Sequence, residues 1–357
     1  MIDRRNFTKA VAAGAASASL AAFSATSASA SASTLAPASL PTPITPATLT
    51  TPTDIPDFGP LRHVRTDLLD VAYVEVGPPE GDVVLLYHGW PYSHYAYAEV
   101  APELARHGYR VLVPILRGHG PTRFLSAATP RSGQQAALGS DVIAFMDALK
   151  IQRAIFGGYD WGGRGLNVAC ALWPERCTGL VSVNSYLIQN LNLSATLIPD
   201  VPETESAHWY YYYFLTEHGR NGLTEHTKDL ARVVWTRNSP QWNFTETDLD
   251  HAAALFDNPD YIDVVINCYR VRLHEAPTDP RYDALEALLL QQPPITVPAV
   301  TLDGLADGSL PATDGTASAI HFTGPRVHHQ IPGAGHNLPQ EAPQAFVSAV
   351  LEVAQLR

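Results

Sequence analysis

The chain reads as an α/β protein, a mostly parallel sheet with helices on both faces and a helical cap inserted after the sixth strand. Three observations carry this reading. From about Leu61 onward, short apolar runs of strand length alternate with amphipathic stretches, the pattern left by parallel strands joined through crossover helices. The runs are bounded by Gly, Pro or polar residues, as strands are. The alternation stops between about Tyr186 and Gln292, where aromatic and charged helical segments take over.

In chain order, residues 83–87, 111–115, 154–158 and 180–184 are the strand runs before the break, and 297–302 and 327–331 follow it. The helical candidates among them are 140–149, 162–173 and 340–355. Within the break, 209–214, 223–235 and 261–272 have helical character. A helical insertion there would lie over the carboxyl ends of the strands, where open α/β sheets place their ligands. The division that follows is a first core part at 60–185, a cap at 186–292 and a second core part at 293–357.

The N-terminus reads as an address. Asp3-Arg4-Arg5-Asn6-Phe7-Thr8-Lys9 precedes an alanine-rich, uncharged stretch to about Ala30. This is the layout of a twin-arginine type signal, so 1–30 is expected to direct export across a bacterial inner membrane, to the periplasm or beyond. Residues 31–59 are mostly Ser, Thr, Ala and Pro, a linker composition that buries too little apolar surface to offset ordering.

With 357 residues and 46% apolar composition, the chain can fill one large core beneath a cap. Its net charge of −12 repels phosphate backbones and argues against a nucleic-acid partner. After the signal no run approaches the roughly 18 continuous apolar residues of a membrane span. Cys170, Cys177 and Cys268 lack metal-site spacing and read as buried thiols, with a Cys170–Cys177 bridge as the alternative. No metal or organic cofactor is expected, and oligomeric state stays open, a homodimer included.

The chemistry centres on Gly158-Tyr159-Asp160-Trp161-Gly162-Gly163, which follows the 154–158 strand and opens a helix. Small residues at these spacings allow a turn too sharp for bulky side chains and leave the central residue exposed above the sheet. Here that residue is Asp160. A serine attacking saturated carbon would give an ether, which water does not readily cleave. A carboxylate gives an ester, which water can hydrolyse, so Asp160 suits epoxide opening or halide displacement. The plainer use of an Asp at this place is to cap the helix it begins.

Turns of this kind are followed in chain order by an acid and then a histidine. Gly335-His336-Asn337 comes after the last strand, where His336 can take a proton from water. In Asp303-Gly304-Leu305-Ala306-Asp307, Asp307 lies farther into the loop and is the preferred acid, while Asp303 suits the strand end. After His88-Gly89, the backbone N–H of Trp90, together with that of Trp161, is placed to hold the Asp160 oxygen as it turns anionic. One such donor is typically worth about 3 kcal/mol.

Together these residues resemble the α/β-hydrolase fold epoxide hydrolases and their relatives, the haloalkane and haloacetate dehalogenases, over about Leu61 to Arg357. His88-Gly89-Trp90-Pro91 is similar to the group's H-G-x-P loop and Gly158 to Gly163 to its G-H-D-W-G-G turn. Gly335-His336 matches its base loop. The resemblance implies two cap tyrosines that donate to the epoxide oxygen: Tyr210, in Tyr210-Tyr211-Tyr212-Tyr213-Phe214, and Tyr269, in Tyr269-Arg270. Against it, four consecutive tyrosines point around a whole helical turn, so few of them can face one site.

The dehalogenase branches fit less well. Trp90 stands where haloalkane dehalogenases usually carry a halide-binding Asn. His208-Trp209 matches a halide-donor pair of haloacetate dehalogenases, with Tyr269 again in place. Of that branch's two carboxylate-binding arginines, Arg164 matches the second, and Trp161 occupies the first. The resemblance thus implies an epoxide hydrolase acting on a small, apolar epoxide. The alternatives are a dehalogenase with the same nucleophile and a catalytically silent exported binding protein.

Overall fold

The computed structural model describes residues 59–193 and 201–356. The signal at 1–30, and all but the last residue of the 31–59 linker, lie outside the described residues.

Nine strands form one sheet among the described residues. They are β1 (Arg62–Arg65), β2 (Leu69–Val76), β3 (Val83–Tyr87), β4 (Arg110–Pro114), β5 (Arg123–Phe124), β6 (Ala154–Gly158), β7 (Cys177–Val183), β8 (Ala299–Gly304) and β9 (Arg326–Ile331). The order across the sheet is β1-β2-β4-β3-β6-β7-β8-β9, with the short β5 beside β2. From β4 to β9 every pairing is parallel, while β2 runs antiparallel to β1, β4 and β5.

The two faces of the sheet follow from side-chain alternation. Leu85, Tyr87, Leu112, Phe156 and Leu180 point to one face, where α2 (Gln135–Ala148) and α3 (Asp160–Leu172) cover them with Leu138, Phe145 and Leu166. Val84, Leu86, Val111, Ile155, Val181 and Val300 point to the other, against α1 (Val100–Arg106) and α12 (Pro343–Val353). Cys170, Cys177 and Cys268 are buried free thiols.

Between β7 and β8 lie seven α-helices among the described residues: α4 (Pro202–Ala207), α5 (Trp209–Tyr213), α6 (Glu217–Glu225), α7 (Thr227–Asn238), α8 (Glu246–Ala253), α9 (Tyr261–Arg272) and α10 (Asp283–Leu289). They follow the seventh strand in chain order, or the sixth once two-residue β5 is set aside. Short α11 (Leu338–Glu341) precedes α12.

Several elements differ from the sequence reading. Strands β1 and β2 were not anticipated, because Arg62-His63-Val64-Arg65 is polar and Asp70 and Glu75 interrupt the apolar run of β2. The helix expected at 340–355 breaks at Ala342 (φ −140°), and Pro343, lacking an N–H, starts α12 afresh. The helix expected at 223–235 is the end of α6 and most of α7, parted at His226 (φ −132°). Strand β7 starts three residues before the expected 180, because Cys177 pairs with Ala154.

Candidate active site

The strand order decides which loops meet. Strands β3 and β6 are neighbours with Tyr87 opposite Gly158, so the chain leaving each at its carboxyl end emerges side by side. The next strands in space, β7, β8 and β9, bring Asn184, Asp307 and His336 along the same edge. Five loops therefore converge at the place where α/β sheets hold ligands.

Asp160 is the first residue of α3 and takes φ +49°, a left-handed conformation that costs a non-glycine residue energy. Its neighbours make the turn feasible. A Cβ on Gly162 would lie 2.4 Å from the Tyr87 and His88 carbonyl oxygens, and one on Gly89 would lie 2.6 Å from Asp160 Cβ. The Asp160 side chain is 19% exposed. It is neither entombed nor used as a helix cap.

The Trp90 backbone N–H donates to Asp160 Oδ1 at 2.7 Å, and the Trp161 N–H adds a second backbone contribution to the carboxylate. Oδ2 faces His336 Nε2 at 3.6 Å. The far side of the imidazole, Nδ1, donates to Asp307 Oδ2 at 2.9 Å. Asp307 is fixed in turn by Asn184 Nδ2 at 3.1 Å and by the Ser309 and Leu310 N–H groups at 2.8 and 2.9 Å. Asp303 turns away to accept from Thr313.

These contacts set the charge states. Burial raises the Asp160 pKa, but the His336 hydrogen bond and charge and the two backbone N–H groups outweigh it and hold the carboxyl below its ordinary range. For His336, burial would lower the imidazole, yet the Asp307 and Asp160 carboxylates lift it well above its usual value.

Over the carboxylate stands an aromatic wall built on Trp90. Its indole has ring centres of Tyr210, Tyr269, Phe214 and Trp161 at 5.4, 5.5, 5.7 and 6.1 Å. Its Nε1 donates to Tyr261 Oη at 2.9 Å. Tyr210 and Tyr269 are buried, 5.5 Å apart, and neither hydroxyl has a hydrogen-bond partner among the described residues. Burial, the neighbouring tyrosines and Asp160 push both phenols well above their ordinary pKa, so both stay donors.

The other expected substrate ligands are placed differently. His208 Nε2 lies 3.1 Å from Ser309 Oγ and its ring stacks on Tyr211 at 4.7 Å. Trp209 packs against Tyr210 and Tyr213. Arg164 is buried on α3 and donates through Nε to the Leu187 carbonyl at 3.2 Å.

Some supporting residues were not read from the sequence. His88 Nδ1 donates to its neighbour Gly89 O at 2.9 Å, and Nε2 accepts from Leu116 N at 3.2 Å, which ties the Trp90 loop to the end of β4. Around His336, Ser239 Oγ accepts from its N–H at 3.0 Å and donates to Glu341 Oε1 at 2.6 Å, while Glu341 also accepts from Gly335 and Asn337 N–H. The Asn238 carbonyl accepts from Gly308 N–H at 2.9 Å and His336 N–H at 3.3 Å. Asn184, a polar residue just past a strand end, carried a usable signal; Ser239 and Glu341 did not.

Comparison with known proteins gives the family. Over 330 residues, 82% of this chain and 96% of the relative, the sequence is 26% identical to epoxide hydrolase A of Mycobacterium tuberculosis. Over a shorter stretch, 34% of this chain, it is 33% identical to bifunctional epoxide hydrolase 2 of Sus scrofa, of which it spans 21%. A crystal structure of a candidate epoxide hydrolase from Klebsiella pneumoniae superposes with a TM-score of 0.81 at 42% identity, covering 85% of this chain and all of that one. Residues 82–339 match the alpha/beta hydrolase fold family, and the chain belongs to that family.

Proposed function

We propose that this protein hydrolyses epoxides to diols through an ester on Asp160. The observation that carries the reading is the pair of surroundings given to one carboxylate, with Oδ1 on a backbone N–H at 2.7 Å and Oδ2 open toward His336 at 3.6 Å. Similarity to epoxide hydrolases of other organisms supports it.

In this mechanism Asp160 Oδ2 attacks an epoxide carbon, a new C–O bond forms and the ring C–O bond breaks. Tyr210 and Tyr269 donate to the oxygen as it becomes an alkoxide, and one of the two phenols gives it a proton and is left as a tyrosinate. Water next adds to Asp160 Cγ while its proton passes to His336 Nε2. The negative charge that gathers on Oδ1 is held by the Trp90 and Trp161 N–H groups. Collapse expels the diol oxygen, which recovers the proton from His336, and Asp160, now carrying one oxygen from water, returns to the carboxylate as the second proton of that water restores the phenol that protonated the alkoxide. Ring opening needs His336 only nearby, whereas hydrolysis needs it neutral. Once Asp160 is esterified, one of the two anions holding its proton is gone.

A His336→Gln variant should accumulate the ester, seen by intact mass as a single adduct absent from Asp160→Asn. Halide release from haloalkanes or haloacids with no diol from any epoxide would overturn the reading in favour of dehalogenation. No adduct with any substrate of either class would favour a silent binding protein.

The protein is also proposed to act outside the cytoplasm, on the strength of Arg4-Arg5 and the uncharged stretch after them. A reporter fused behind residues 1–60 should be exported, and Arg4→Lys with Arg5→Lys should stop it. Export that ignores both arginines would exclude this route.

A further inference from the structure

The loop that supplies one of the two backbone donors to Asp160 is itself held by cap side chains. Trp90 has two N–H groups, and they reach different parts of the molecule. Its backbone N–H meets Asp160 Oδ1 at 2.7 Å, and its indole Nε1 meets Tyr261 Oη at 2.9 Å. Tyr261 is the first residue of α9, the cap helix that also carries Tyr269. One residue on, the Pro91 carbonyl accepts from Trp235 Nε1 at 3.0 Å, and Trp235 lies on α7 of the cap. The Trp235 indole also stacks on the Tyr92 ring, with centres 5.1 Å apart and planes 14° from parallel.

From the core side the same loop is anchored one residue earlier. The Gly89 carbonyl accepts from His88 Nδ1 at 2.9 Å and from the Tyr92 N–H at 3.1 Å, which closes the turn around Trp90 and Pro91. Trp90, Trp235 and Tyr261 are all buried, so no water stands in for a lost partner and a broken bond leaves a polar group unsatisfied. The two cap bonds therefore fix the Trp90 ring and the Pro91 carbonyl, and through them the direction of the Trp90 N–H. Direction matters, because a hydrogen bond weakens steeply as its angle closes. Asp160 registers the result: burial raises its carboxyl, and the Trp90 N–H works with His336 and the Trp161 N–H to hold it below the ordinary range.

We infer that Tyr261 and Trp235 are positioning residues for ester hydrolysis: through these two hydrogen bonds the cap aims the Trp90 N–H at the oxygen on which charge gathers. The inference rests on the epoxide reading for the reaction step, and on the hydrogen bonds alone for the coupling of cap to loop. The donor pair is then a joint product of core and cap, Trp161 belonging to the first and Trp90 being set by the second. Ring opening depends on this less than hydrolysis does, because Oδ1 loses charge when Oδ2 attacks the epoxide and gains it when water attacks the ester.

Tyr261→Phe keeps the ring and removes the acceptor. In a single turnover it should slow ester hydrolysis about tenfold or more while ester formation stays within about twofold of wild type. The ester, followed by intact mass, should then occupy a larger share of the enzyme at steady state. Trp90→Phe removes the other end of the same bond and should also slow hydrolysis, and the double variant should be no slower than Trp90→Phe alone. Equal losses in formation and hydrolysis, or losses that multiply in the double variant, would overturn the inference. If Tyr261→Phe does not fold, Trp235→Phe, which keeps a ring against Tyr92 and drops the donor to Pro91, is read by the same two rates. The Asp160 carboxyl, followed by carbon-13 NMR and assigned with Asp160→Asn, gives a readout that needs no substrate. It should titrate at higher pH in Tyr261→Phe than in wild type. An unchanged titration with epoxide turnover intact removes this inference and leaves the reaction standing. A raised titration with no turnover of any epoxide does the reverse.

Discussion

At the scale of single residues, the site works by giving chemically similar groups different surroundings. Asp160 is kept ionised by backbone N–H groups and His336, and Tyr210 and Tyr269 are kept protonated by burial. In the proposed cycle His336 is a group whose state changes. In the free enzyme two carboxylates hold its proton, first Asp307 and then Asp160, against the opposing effect of burial. Esterifying Asp160 removes one of them, so the His336 pKa in the alkyl-enzyme must lie below that in the free enzyme. Ester hydrolysis, measured after a single-turnover burst, should therefore slow as pH falls through a value lower than the imidazole pKa read by NMR in the resting protein. The same value in both states would show that Asp160 does not hold the proton. Asp160 and His336 were legible because glycines and strand ends flank them in fixed patterns. The partners of the imidazole were not: Ser239 and Glu341 come from segments 97 and 5 residues away from it, and only the fold brings them to one loop.

Among the elements, the end of α7 is the one that joins the two late loops. Asn238 and Ser239 meet both late loops, and glycines make the approach close. A Cβ on Gly308 would lie 2.1 Å from the Arg237 carbonyl oxygen, and one on Gly335 would lie 2.7 Å from Ser239 Cα. Ser239→Ala removes the hydroxyl that joins the His336 N–H to Glu341, leaving a buried carboxylate short of a donor. We expect a loss of about 1–3 kcal/mol in stability and a kcat about tenfold lower or more through misplacement of the imidazole, with KM little changed. A matching change in KM with kcat preserved would place Ser239 in substrate binding instead. Secondary structure was legible where the apolar pattern was continuous, as in α9, whose 12 residues match the expected 261–272. It was illegible where tertiary pairing overrides pattern, as in β2, whose Asp70 and Glu75 sit on an antiparallel strand beyond the parallel core.

For the whole molecule, buried histidines tie stability to pH. His119 is buried, donates through Nδ1 to the Arg117 carbonyl at 2.9 Å, and packs against Trp161 and Tyr261. Burial lowers its pKa from 6.5 to about 4. A depressed folded value means that its contribution is complete above 6.5 and is lost as pH falls toward about 4, where the unfolded chain takes up a proton that the folded one refuses. Relative to His119→Gln, the wild type should thus lose about 3 kcal/mol of unfolding free energy across that window; parallel stability curves would contradict this. Glu341 acts in the opposite sense, because burial raises its carboxyl to about 7 and its contribution fades as pH rises through that value. The join between α7 and the two late loops has a consequence for how substrate gets in. Since one carbonyl, that of Asn238, braces both Gly308 and His336, this corner behaves as a pivot, and any hinge that swung it outward would dismantle the proton-transfer pair. The contact of α5 with α9, where Tyr210 and Tyr211 lie 5.5 and 4.9 Å from Tyr269, has no such tie to the proton-transfer pair among the described residues, and mutations that stiffen it should slow product release before they touch the chemistry.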